Sequence, residues 1–153
     1  MKLAEALAAR ADAQARLQEL RSRIRDNARH QEGDAPAEDP NALIAEADRV
    51  AAELTRLVRA INATNAATPV EGIGTLTDAI AERDGLAARR KVLVDAAGEA
   101  SGSGGLRLMR SELRMVTALD VPDLRRRIDE LSRQRRQLDL RIQAADWTTE
   151  LVE

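Results

Sequence analysis

Four carboxylates, Glu32, Asp34, Glu38 and Asp39, fall within eight residues of one another. Oxygen ligands at that density suit a hard divalent cation, but the spacing does not follow a calcium loop, which needs alternating ligands, a glycine at the sixth position and a closing glutamate. The stretch Gln31 to Asp39 also carries Gly33 and Pro36 and no periodic apolar residue, so it reads as a solvated acidic connector. His30 is the only histidine and cysteine is absent. A site built on two histidines is therefore impossible, a Ser-His-Asp arrangement is poorly supported, and thiolate chemistry is excluded. His30 is expected at the end of the first helix, where a partly protonated imidazole interacts favourably with the helix dipole.

Arginines cluster at Arg21, Arg23, Arg25 and Arg29, at Arg89-Arg90-Lys91, and at Arg125-Arg126-Arg127 with Arg133 and Arg136. Such clusters can neutralise phosphates when they share one face, and single strands also need aromatic stacking platforms. The chain has no Phe and no Tyr, and Glu19, Asp26, Asp129 and Glu130 lie at helix-pair spacing from these cations. A salt-bridged surface is the better reading. Arg10 and Arg135 differ from the other arginines because they occupy positions where a leucine is expected. Each reads either as a buried ion pair that fixes helix register or as a rim residue whose stem covers apolar surface. The lone aromatic, Trp147, is expected to be a lid on the helical core or a subunit contact.

These side chains are carried by helices. Leu3, Ala6, Arg10, Ala13, Leu17, Leu20 and Ile24 recur in steps of three and four, with Leu7 beside them, which predicts a first helix over 2–29. Asp39 is a good N-cap and Pro40 fits the first position of a second helix over 40–64. Its seam is Leu43, Ala47, Val50, Leu54, Leu57, Ile61 and Thr64, widened by Ile44 and Val58, and Asn62, Thr64 and Asn65 are read as its terminators. A loop over 66–74 follows. Thr75-Leu76-Thr77-Asp78 has the form of a capping box, opening a third helix over 76–97. The last helix, 121–147, has the seam Val121, Leu124, Ile128, Leu131, Arg135, Leu138, Ile142 and Ala145.

Between the last two helices, Ser101-Gly102-Ser103-Gly104-Gly105 is a flexible connector by composition. Leu106 and Leu108, then Leu113, Met115 and Thr117, alternate with polar or smaller residues, which predicts a short β-hairpin at about 106–117. A short helix using Met109, Leu113 and Val116 is the competing reading. Since an isolated hairpin is marginal in water, it would have to pack on the helices or pair with another subunit, making Leu106, Leu108, Leu113 and Met115 candidate interface residues.

Basic and acidic residues number 24 and 26, for a formal net charge of −2, so the whole-chain field makes no strong case for nucleic acid or for an anionic membrane. The N-terminus lacks a continuous apolar segment, and the expectation is a cytoplasmic protein. The expected fold is mainly all-α, a single helical domain over 1–153 built as an antiparallel four-helix bundle or two long helical hairpins with coiled-coil-like heptad packing. Many seam positions hold alanine, so the core is thin, and burial of this kind is often completed in a homo-oligomer.

The blocks MKLAEALAARAD, QEGDAPAEDP, RAINATNAAT, LTDAIAERD, RSELRMVTALDV and IQAADWTTEL, taken in that order, resemble an uncharacterised bacterial family of small helical proteins sometimes labelled septicolysin. The resemblance spans nearly the whole chain. It implies a helical protein of unknown activity, its label implies a cytolysin, and it supplies no catalytic residues. The expected function is therefore non-enzymatic, acting through self-association or a protein partner, with no cofactor and no metal. A nucleic-acid-associated factor using the arginine clusters and a membrane-active protein are the alternatives.

Overall fold

The computed structural model describes residues 1–102 and 116–152. The fold is mainly all-α: α1 (Leu3–Asn27), α2 (Pro40–Ala67), α3 (Leu76–Ala100) and α4 (Val121–Thr148), with a two-stranded antiparallel sheet of β1 (Pro69–Val70) and β2 (Gly74–Thr75). The chain divides into two compact units, one of 1–69 with 144–153 and one of 70–143. The predicted hairpin at 106–117 lies almost wholly outside the described residues, as do Leu106, Leu108, Leu113 and Met115; Val116 and Thr117 are described and exposed.

In the first unit α1 and α2 pack as an antiparallel hairpin. Pro40 at the first position of α2 needs no hydrogen-bond partner, and the Asp39 carboxylate accepts from the Asn41 backbone N–H at 2.9 Å, so the chain enters this helix as the sequence predicts. The common seam buries Leu3, Ala6 and Leu20 of α1 against Leu43, Leu57 and Ile61 of α2. Its middle is thinner: Ala13, Leu17, Val50 and Leu54 are only half-buried, as a single stripe shared by two helices leaves its edges within reach of water. Ile44 and Val58, which widen the α2 stripe, lie at its exposed edge.

α2 does not end at Thr64. It runs on to Ala67, because the Thr64 hydroxyl is buried completely and bonded, while the Thr68 N–H and hydroxyl both close on the Thr64 carbonyl at 2.9 and 2.8 Å. Tertiary packing outweighs the weak helix propensity of Asn62, Thr64 and Asn65. At the other end α1 stops at Asn27, so His30 lies beyond the helix, exposed, with Nδ1 2.9 Å from the Gln31 carbonyl.

The C-terminal segment completes this unit. Lys2 and Glu150 form an antiparallel bridge, Leu3 N–H donates to the Thr149 carbonyl at 3.0 Å, and Leu151 N–H donates to the Met1 carbonyl at 2.8 Å. Val152 N–H then donates to the Thr64 hydroxyl at 2.9 Å.

The stretch read as a loop over 66–74 holds the small sheet. Each strand is two residues long, too short for an alternating pattern to show in the sequence, and Gly74 at φ 137° makes the turn into α3. The Thr75 hydroxyl accepts from the Asp78 N–H while the Asp78 carboxylate accepts from the Thr75 N–H, the reciprocal cap the sequence predicts. Leu76, Ala79, Leu86 and Ala97 of α3 and Leu124, Leu138 and Ile142 of α4 are buried, while Leu93, Ile128 and Leu131 are half-buried.

Candidate association surfaces

Ion pairs and hydrogen bonds link the two sides of each hairpin, and they are made by residues other than the seam interruptions Arg10 and Arg135. In the first unit the Arg16 guanidinium bridges to Glu46 through Nε at 2.9 Å and to Glu19 at 2.7 Å. About two turns further along α1, Arg23 reaches Glu38 just before α2 and also Glu19 at 3.1 Å. Moving up α1 while moving down the partner segment is what antiparallel pairing requires. The hydrogen bond from Arg23 holds the Glu38 carboxyl below its ordinary range, and that from Arg16 does the same for Glu19. Asn27 ties the same corner, donating to the Arg23 carbonyl at 2.9 Å and accepting from the Glu38 N–H at 2.9 Å.

In the second unit Arg90 Nε donates to the Ser132 hydroxyl at 2.8 Å, and Arg83 approaches Asp139 at 4.0 Å. α3 and α4 therefore run antiparallel. Ser132, a weak helix former in mid-helix, returns its own proton to the Ile128 carbonyl at 2.8 Å and leaves its lone pairs for Arg90.

Against these pairs stand the two predicted register residues. Arg135 lies on the rim, nearly half exposed, and pairs with Asp139 of its own helix at 3.7 Å. The rim reading accounts for it, because a side chain that remains in water needs no partner across the seam. Arg10 is half-buried, and its Nε is shut off from solvent with no hydrogen-bond partner among the described residues. The sequence missed Glu46, Ser132 and Asp139 as register partners, because which residues face each other across a hairpin depends on where the turn closes, and a seam pattern alone does not fix that.

The other motifs separate. Glu38 serves Arg23, Asp39 caps α2, and among the described residues no group of three or more His, Cys, Asp or Glu is placed to hold a metal ion. Several cluster arginines have carboxylate partners: Arg23 with Glu19 and Glu38, Arg89 with Glu82 at 3.3 Å, Arg126 with Asp123 at 2.9 Å and Arg133 with Glu130 at 2.5 Å. No helix among the described residues is long and apolar enough to cross a membrane.

Two surface features are left without such an account. Trp147 is 66% exposed, so it is no lid. The second is a groove of about 460 Å³ between α3 and α4, floored by Val92, Leu93 and Leu131 and rimmed by Arg89, Arg126, Arg127 and Glu130. Val92 is also 66% exposed.

A family model described as a family of unknown function (DUF6847) matches residues 10–151. The chain belongs to that family. It is similar to a crystal structure of a functionally unknown conserved protein from Corynebacterium diphtheriae, at 40% identity and a TM-score of 0.93, with 99% of each chain covered. No curated protein matches the chain. Family membership thus carries the helical architecture with it and assigns no activity.

Proposed function

We propose that this family member works by association rather than catalysis, and that it forms a homo-oligomer in which Trp147 is buried at the contact between copies. The observation that carries this reading is the placement of Trp147. In a chain with no other aromatic, a folding core of ordinary economy would hide its largest apolar side chain, yet here it is two-thirds in water. Tryptophan is the side chain most enriched among residues that dominate binding energy, because it buries a large rigid area for little conformational entropy. The half-buried seam positions Ala13, Leu17, Val50 and Leu54 add support, since a two-helix stripe has burial still to gain from a further helix.

The test is sedimentation velocity over a wide concentration range on the wild type and on Trp147→Ala. Because the side chain is exposed, the substitution should leave the helical circular dichroism and thermal stability of the isolated chain nearly unchanged. Reversible self-association of the wild type, weakened by at least about tenfold in the variant, is the expected result. A wild type that stays monomeric at all concentrations overturns the proposal, as does a variant that associates equally well. The lytic activity implied by the septicolysin-like blocks is a separate reading, tested by dye release from liposomes.

A further inference from the structure

We propose that the groove between α3 and α4 is a docking site for an acidic amphipathic helix of a partner protein. The site rests on the association reading and deepens it by naming a partner, and it is built from residues other than Trp147.

An antiparallel helical hairpin leaves a trough along its flank, and a third helix fits such a trough at an interaxial distance of about 8–10 Å. Here the floor of that trough is aliphatic, with Val92 and Leu93 from α3 and Leu131 from α4. Val92 is 66% exposed, so the aliphatic floor is open to water. An aliphatic floor between two helices is the form recognised by a helix presenting apolar residues at i, i+3, i+4 and i+7.

Charge decides which helix. Three guanidiniums from two helices, Arg89, Arg126 and Arg127, rim the groove against one carboxylate, Glu130. That carboxylate is already taken by Arg133 at 2.5 Å and Gln134 at 2.7 Å. Arg126 holds Asp123 at 2.9 Å and Arg89 holds Glu82 at 3.3 Å, both as exposed pairs that contribute little and exchange readily for another anion. Arg127 is exposed and has no ion pair among the described residues. The same groove of a second copy is a poor occupant, since it would bring a second set of three guanidiniums against the first. Asp and Glu flanking a leucine stripe complement the rim, and such pairing confers specificity and a salt-dependent on-rate.

The probes are two labelled synthetic helices of about three heptads with the same leucine stripe, one flanked by Glu and one by Lys, titrated by fluorescence anisotropy against the full chain. The Glu-flanked helix is expected to bind at least about tenfold more tightly than the Lys-flanked one and to weaken with salt. Val92→Glu, at an exposed position, should abolish binding while leaving the circular dichroism unchanged. Arg127→Glu should narrow or reverse the preference between the two probes. Equal binding of both helices, binding of neither, or retention of binding in Val92→Glu overturns the proposal. So does competition by phosphatidylglycerol vesicles that displaces the helix, which would assign the groove to a lipid surface instead. Self-association measured on Val92→Glu, and peptide binding measured on Trp147→Ala, separate failure here from failure of the homo-oligomer.

Discussion

Thr64→Val tests how the C-terminal segment is held, because it deletes one hydroxyl from a site with no solvent access and keeps the side-chain shape. The hydroxyl makes two hydrogen bonds, donating to the Ala60 carbonyl at 2.8 Å and accepting from the Val152 N–H at 2.9 Å. Loss of the first costs little, since the Ala60 carbonyl keeps its place in the α2 ladder. Loss of the second strands the Val152 N–H, and a hydrogen bond of this kind is worth about 1 kcal/mol net. Valine and threonine have similar helix propensities, so α2 itself should be indifferent. The added methyl in a buried site favours the folded state and offsets part of the global cost. The clean readout is therefore local. Amide hydrogen exchange at Val152 should quicken about fivefold, the equivalent of about 1 kcal/mol in the opening equilibrium. The amides of Leu3 and Leu151, which donate to the Thr149 and Met1 carbonyls, should follow more weakly. Unchanged exchange at Val152, or an equal acceleration at every protected amide, would refute the claim that the Thr64 hydroxyl is a specific anchor.

Other perturbations separate the remaining interactions. Gly74→Ala should lower the midpoint of thermal unfolding, because φ is 137° there and an added Cβ would lie 2.6 Å from the Asp78 Oδ2 that caps α3; a cost of about 1–3 kcal/mol is expected, and a stabilised variant would show that the cap is not tied to this geometry. The carboxyls of Glu19 and Glu38 are held below their ordinary value of 4.5 by bonds from Arg16 and Arg23, so in the folded state they stay ionised to lower pH than in the unfolded chain. Their contribution is complete above the ordinary carboxylate range and is lost as pH falls below 4.5, so urea midpoints should decline on acidification and the decline should be shallower in Glu38→Gln.

Much of the helical plan was legible in the sequence because each helix must turn one stripe away from water. Leu124, Leu138 and Ile142 of α4 and Leu43, Leu57 and Ile61 of α2 are buried where three- and four-residue spacing puts them, and Asp39-Pro40 and Thr75 to Asp78 mark helix starts through local hydrogen bonding alone. What failed to show depends on contacts distant in the chain. Thr64 looks like a helix terminator by propensity, yet it lies buried inside α2, and its hydroxyl accepts from the N–H of residue 152, a partner far away in the chain. Arg135 looks like a seam interruption, yet Asp139 one turn on lets it remain at the rim. Arg16, Arg23 and Arg83 give no sign in sequence of which carboxylate they will meet, since the turn between helices sets the register. The groove above Val92 was equally hidden: a single valine beside a leucine seam is unremarkable until the helix is placed and its exposure is seen.

The most direct test of the association reading uses the chain's own fluorophore. With Trp147 as the sole tryptophan and no tyrosine, emission reports one site only. Dilute protein should emit as a water-exposed indole, and raising the concentration through the sedimentation transition should shift the emission to the blue and lower its quenching by acrylamide. An emission maximum and quenching constant that stay those of an exposed indole while the particle doubles in mass would contradict the account, because the copies would then be meeting through some other face.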